Sequence, residues 1–234
     1  MSVAYDVFDH ELPISKPDMV LFDWDDTLID NWQRLLMSIN QARLSMGDLP
    51  WSEQEAHEHI GPPAKQLFQS LYGDLWEEAD RYFLDAYQAE EALQTLSKMP
   101  DAQNWLDFLY EQNIPMAIIS CKRGHLLRQE VAHLGWDKYF FAITGAGDAP
   151  IDKPNPAAFD FTVKQWSGNL QNLTKHNIWY MGDSKTDLVL ARESALYPIL
   201  MQHKLPPNPI PKDMGNCASF ATYGKIIQIW PYFL

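Results

Sequence analysis

Between Met19 and Asp30 the chain reads MVLFDWDDTLID: four apolar residues run directly into Asp23, Asp25 and Asp26, and then into Thr27. An apolar run this short, followed by polar residues, reads as a strand buried on both faces. Such a strand gains nothing from carboxylates at its end, because burying unpaired charge is costly. On an extended backbone Asp23 and Asp25 project to the same side, with Trp24 turned away. Two carboxylates held that close repel unless a proton or a cation sits between them. An oxygen-only ligand set favours a hard divalent ion, Mg²⁺ above all. The alternative is a polar turn after a strand, and the rest of the chain decides between the two.

Four more short apolar runs follow: Met116–Ile119, Phe140–Ile143, Ile178–Met181 and Pro198–Met201. Helical patterns lie between them. Ala102–Gln112 puts Trp105, Leu106, Leu109 and Tyr110 on one stripe, and His125–Leu134 does the same with Leu126, Leu127, Val131 and Leu134 before Gly135. Asn155 and Pro156 suit the cap and first position of a helix through Val163, and Asp187–Ser194 is the next helix. Strand and helix in alternation predict a parallel sheet with right-handed crossovers. Residues 31–100 break the alternation with helical stretches at Trp32–Met46, Ser52–Ile60, Ala64–Tyr72 and Leu75–Leu96, punctuated by Gly47, Gly61-Pro62-Pro63 and Gly73. The expected architecture is an α/β core with a parallel sheet, from residues 1–30 and 101–234, carrying a small all-helical cap domain of residues 31–100 placed like a lid after the acidic strand end. The Pro-rich stretch Leu205–Pro211 reads as a surface loop, and the apolar end Ile226–Leu234 as packing on the core or on a second subunit.

Composition narrows the function. A chain of 234 residues, 46% hydrophobic and 13% aromatic, is that of a globular protein. A net charge of −13 argues against nucleic acid and anionic membranes as partners. It still allows a small phosphorylated substrate at a locally positive site. No apolar run reaches a membrane span, the N-terminal residues lack the pattern of a signal peptide, and two cysteines, Cys121 and Cys217, fit a reducing compartment. The expectation is a cytoplasmic protein, monomer or homodimer.

The polar residues that follow the strands carry the chemistry. The first strand ends in Asp23 and Asp25, the second in Ser120, and the fourth in Gly182-Asp183, with Asp187 four residues on. Ligands of open parallel sheets bind outside the carboxyl ends of the strands, so these residues should converge. Asp183 and Asp187, one helical turn apart, suit a helix N-terminus, where the dipole favours carboxylates. Lys153 lies in Ile-Asp-Lys-Pro-Asn-Pro, ahead of the helix that Pro156 opens. Taken in order, Asp23-x-Asp25-x-Thr27-Leu28, the strand ending in Ser120, Lys153-Pro154-Asn155-Pro156 and Gly182-Asp183-x-x-x-Asp187 resemble the four signature motifs of the haloacid dehalogenase (HAD) superfamily, over residues 18 to 201. The insert between the first two motifs resembles the cap of the phosphoglycolate phosphatase-like and β-phosphoglucomutase-like branch.

The resemblance implies a Rossmann-like core and a Mg²⁺-dependent phosphatase acting on a small soluble phosphate monoester through an aspartyl-phosphate. Asp23 would be the nucleophile and Asp25 the general acid and then base. Ser120, Lys153 and Thr27 would serve the phosphate end, Thr27 by ordering the loop. The metal set would be Asp23, Asp25 through its backbone carbonyl, Asp183, and Asp187 directly or as a supporter. Asp25 favours phosphate esters, since the dehalogenases and phosphonate-cleaving members lack that residue. Asp26 stands where the family commonly has glycine and reads as a turn residue. A phosphomutase sharing the intermediate is the near alternative, and a non-catalytic binding protein on the same fold a more distant one. Other signals carry less. His57 and His59, two apart on a helix, point about 200° from one another and make no shared metal site. Cys121 reads as buried packing, Lys122 and Arg123 as a solvated helix start or a substrate contact, and Lys65 as a cap residue near the Gly61-Pro62-Pro63 break.

Overall fold

The structure, a computed structural model, describes residues 15–60, 64–169, 173–203 and 217–233. The N-terminal residues, the Gly61-Pro62-Pro63 break and the Leu205–Pro211 stretch lie outside them. Among the described residues no helix is long and apolar enough to cross a membrane.

By its internal contacts the chain divides into two units, residues 1–29 with 98–234, and residues 30–97. The first is built on six parallel strands in the order β5-β4-β1-β6-β7-β8: β1 (Met19–Phe22), β4 (Met116–Arg123), β5 (Phe140–Ala146), β6 (Ile178–Gly182), β7 (Tyr197–Met201) and β8 (Ala218–Phe220). β1 lies at the centre, its Phe22 in register with Ile118 of β4 and Met181 of β6. All four of its residues are fully buried, as a strand covered on both faces requires. Side chains alternate across it. Met19 and Leu21 join Phe159 of α8 (Pro156–Val163) and Leu190 of α9 (Lys185–Glu193) in one core layer. In the same unit, Trp179 of β6 meets Trp230, which in turn meets Trp105 of α6 (Ala102–Glu111). The apolar end thus packs on the unit's own core, through α10 (Tyr223–Ile229) and the turn at Trp230. β8 is three residues long, too short for its sequence to separate it from loop. Asn155 caps α8 by accepting the Ala157 N–H at 2.9 Å, and α7 (Gly124–His133) connects β4 to β5.

The second unit is helical: α1 (Trp32–Ser45), α2 (Glu53–His59), α3 (Ala64–Tyr72), α4 (Trp76–Tyr87) and α5 (Glu90–Leu93). Two-residue strands β2 (Ile29–Asp30) and β3 (Ser97–Lys98) pair where the chain passes between the units. The single helix read over Leu75–Leu96 is divided, with Ala89 extended at φ −62° and ψ 146°. The break has a physical cause: the Tyr87 carbonyl accepts hydrogen bonds from the buried Arg34 guanidinium, at 3.0 Å from Nε, and that guanidinium also stacks on the Tyr87 ring. The two histidines of α2 are exposed, and they stack on different tryptophans, His57 on Trp32 and His59 on Trp51. Lys65 sits over the ring of Trp76.

Candidate active site

The ends of the central strands assemble one charged cluster inside the α/β unit. The Asp23 N–H donates to the Met181 carbonyl at 2.8 Å, so the β1–β6 pairing runs one residue past the strand and fixes the start of the acidic loop. Lys153, buried in the loop before α8, reaches Asp23 Oδ1 at 2.9 Å and Asp187 Oδ1 at 2.5 Å. Its ammonium also lies 3.4 Å from the Ile119 carbonyl and 5.4 Å from the centre of the Tyr180 ring, whose hydroxyl donates to the same carbonyl. Burial acts to lower the value of the lysine. Asp187 and Asp23 more than reverse this and hold it well above the ordinary lysine value.

Asp187 is the third residue of α9, where its carboxylate accepts from the Ser184 hydroxyl at 2.6 Å and the Ser184 N–H at 2.8 Å in a capping box. Gly182 makes room for it: a Cβ there would stand 2.1 Å from the Asp187 carboxyl carbon. Asp183 lies before the cap residue and not on the helix, so it is chain geometry at the strand end, and not one turn of helix as the spacing suggests, that brings it to Asp187. Oxygens of Asp23, Asp183 and Asp187 lie within 4.8 Å of one another. The Thr27 hydroxyl is directed at Asp183, 3.4 Å away, and the Tyr223 hydroxyl holds the Thr27 carbonyl at 2.9 Å.

This trio suits a hard divalent cation. It is all oxygen, and it sets three carboxylates against one ammonium. Asp23 Oδ1 and Asp187 Oδ1 are buried and face Lys153 without accepting a well-formed hydrogen bond. Burial pushes the Asp23 carboxyl up, and Asp187 adds to this, against the pull of Lys153. A cation at the trio would act in the opposite sense and favour the ionised carboxylate.

The carboxylate of Asp25 stands outside the trio. Its Oδ1 lies 2.6 Å from the Lys122 ammonium. The two motif carboxylates therefore do not share one counter-charge: Asp23 faces Lys153 and Asp25 faces Lys122. Burial pushes the Asp25 carboxyl up to about 7, Lys122 pulling against it and Glu130 adding to it. A third of that side chain is exposed, and water screens part of the effect.

Ser120 is buried in β4, with its hydroxyl accepting the Lys122 N–H at 3.2 Å. The strand does not end there but runs on to Arg123. Lys122 is accordingly a buried strand residue and not a solvated helix start. Cys121 is exposed, not buried, and its thiol points to the Lys153 carbonyl at 3.8 Å. Asp26 adopts the left-handed φ of 56°, a conformation that glycine accepts more readily. Its N–H donates to the Ile29 carbonyl, closing the turn.

Sequence reasoning missed Lys122 as a buried group and missed Glu130 altogether. Glu130 had a legible signal, since it falls within the apolar stripe of α7, four residues after Leu126 and one before Val131.

The haloacid dehalogenase-like hydrolase family model matches residues 20–199. The chain is 27% identical over 199 residues to a phosphoglycolate phosphatase of Pseudomonas fluorescens, covering 81% of this chain and 71% of that one. It resembles the crystal structure of a predicted phosphoglycolate phosphatase from Haemophilus somnus, with a TM-score of 0.77, 22% identity, and coverage of 93% and 100% of the two chains. A HAD-superfamily hydrolase from Ehrlichia chaffeensis is 26% identical at a TM-score of 0.62, over 93% and 97% of the chains. With the motif residues gathered at the ends of a six-stranded parallel sheet, this chain belongs to the haloacid dehalogenase-like hydrolase family.

Proposed function

We propose that the protein is a Mg²⁺-dependent phosphatase that hydrolyses a small soluble phosphate monoester through an aspartyl-phosphate on Asp23. The observation that carries this is the trio Asp23, Asp183 and Asp187 closed by Lys153. Asp23, Asp183 and the Asp25 carbonyl would hold Mg²⁺, with Asp187 beside them; the ion supplies charge neutralisation at the transferring phosphoryl group. An Asp23 oxygen bonds to phosphorus as the ester oxygen departs. Asp25 gives its proton to that oxygen and then takes one from the water that attacks phosphorus, as the bond from phosphorus to Asp23 breaks and phosphate leaves. Lys153 and Ser120 bind the phosphoryl oxygens, the lysine countering the charge that nucleophile and phosphate share. Thr27 orders the loop through Asp183. Because phosphoglycolate phosphatases are among the similar proteins, 2-phosphoglycolate is the first substrate to try.

The test is phosphate release from a panel of sugar phosphates, 2-phosphoglycolate and nucleotides, with and without Mg²⁺. We expect turnover that needs the ion, and its loss in folded Asp23→Asn, because an amide is a poor nucleophile and a weaker ligand. Release at the wild-type rate from Asp23→Asn, or full activity in excess chelator, overturns the reading.

A further inference from the structure

Glu130 and Lys122 form a buried charged group that the hydrolysis just described does not use directly. The Lys122 side chain is 6% exposed and that of Glu130 is wholly buried. The ammonium lies 2.9 Å from Glu130 Oε1, 2.7 Å from Oε2 and 2.6 Å from Asp25 Oδ1. Glu130 Oε2 also accepts the indole N–H of Trp24, the residue before Asp25, at 2.5 Å. That indole is fully buried and packed edge-on against Trp136, ring centres 5.7 Å apart. Two separate pieces of chain, the loop after β1 and the end of β4, thus converge on one carboxylate carried by helix α7.

Isolated buried charge is costly, so the arrangement persists only while all its members are present. A flexible lysine is a poor clamp alone, since its ammonium swings on four rotatable bonds. Here both Glu130 oxygens hold the ammonium and Trp24 holds Glu130. The hold on Asp25 Oδ1 is therefore directional and restricts the rotation of that carboxyl.

We propose that Glu130, anchored by Trp24, is a positioning residue that acts through Lys122 to aim the Asp25 carboxyl at the oxygen of the leaving group. The inference rests on the reading of Asp25 as the general acid. In that step the Asp23 oxygen bonds to phosphorus, the bond from phosphorus to the ester oxygen breaks, and the Asp25 proton passes to the departing oxygen. An alkoxide needs that proton. A p-nitrophenolate departs as a stable anion and does not.

The experiment compares kcat/KM for 2-phosphoglycolate and for p-nitrophenyl phosphate, because this ratio reports the steps up to departure of the leaving group. The variants are Lys122→Met/Glu130→Gln, which removes two opposite buried charges together and keeps an acceptor for Trp24, with Glu130→Gln as the milder single change, Lys122→Arg as the conservative one, and Asp25→Asn as reference. General acid catalysis contributes about 10²–10⁴-fold. We expect the double variant to lose most of that on 2-phosphoglycolate and less than about tenfold on p-nitrophenyl phosphate, with a burst of p-nitrophenolate. Glu130→Gln should lose less in the same pattern, and Lys122→Arg should keep part of the rate that the double variant loses. Equal losses on both esters from folded variants, or no loss on either, overturn the inference while Asp25→Asn still discriminates. If Asp25→Asn itself does not discriminate, the reading of Asp25 falls and the inference with it.

Discussion

Both units of the molecule begin a helix with the same local device, and they put it to different ends. In the helical unit Ser52 caps α2, with Glu55 reaching back to the Ser52 N–H at 2.8 Å, all of it exposed to water. In the α/β unit Ser184 and Asp187 make the same reciprocal pair at the start of α9, but Asp187 is 1% exposed. Its other oxygen meets Lys153, which also holds Asp23. A capping box by itself satisfies orphan backbone donors and nothing more. Once buried beside other charges, the same carboxylate must be neutralised by its neighbours, and its position becomes tied to theirs. What separates the two carboxylates here is the company that Asp187 keeps at the strand ends.

The largest effect should come from removing the residue that ties Asp187 to Asp23. Lys153→Ala leaves two buried carboxylates facing each other without their shared counter-charge, and breaking a buried pair in this way costs about 3–5 kcal/mol. We expect a correspondingly lower unfolding temperature, partly restored by Mg²⁺, and a fall in kcat of about 10²–10³-fold, the range for loss of one electrostatic contact to a transition state. Phosphate release and thermal unfolding with and without Mg²⁺ check both. Wild-type kcat in this variant would place Asp187 and Asp23 in separate, purely structural roles and dissolve the contrast.

A smaller effect sharpens the comparison directly. Ser184→Ala removes the 2.6 Å bond to Asp187 and leaves the backbone N–H in place. Loss of the cap costs about 0.5–2 kcal/mol, and a carboxylate deprived of its supporting hydrogen bond should weaken Mg²⁺ binding by about 10–100-fold. A Mg²⁺ titration of phosphate release measures the second quantity apart from the first. A stability loss with unchanged Mg²⁺ dependence would make Asp187 a cap residue like Glu55.

The comparison also explains what the sequence disclosed. Asp23, Asp183 and Lys153 were legible because each breaks a local rule: charge follows at once on a buried strand, or a lysine stands before a proline-fixed helix start. The parallel sheet was legible from the same apolar runs. Lys122 was hidden because Lys-Arg before a glycine is what any solvated turn looks like, and only the continuation of β4 through Arg123 buries it. Glu130 broke the stripe of α7, but one polar residue within a stripe does not say which partner awaits it across the fold. In the helical unit nothing breaks a rule so visibly. The division after Tyr87 depends on Arg34, 53 residues away in sequence, and no local pattern encodes that pairing.

The smallest effect belongs to the exposed capping box. Ser52→Ala should cost about 1 kcal/mol, felt first as faster hydrogen exchange of the α2 amides. The Ser52 hydroxyl, and after it the Ser52 N–H, hold the Glu55 carboxyl below its ordinary value. A carboxyl whose value is lowered on folding stabilises the fold at pH above its unfolded value and ceases to do so as the pH falls through the lowered one. Protection of α2 in the wild type should therefore decline on acidification through that window. In Ser52→Ala, where the main cause of the lowering is gone, the decline should be shallower. Because this carboxylate has water rather than Lys153 and Asp23 around it, the variant should keep the wild-type dependence of phosphate release on Mg²⁺. A shift in that dependence as large as the one expected of Ser184→Ala would show that the two boxes are not different in kind, and the distinction drawn from burial would fail.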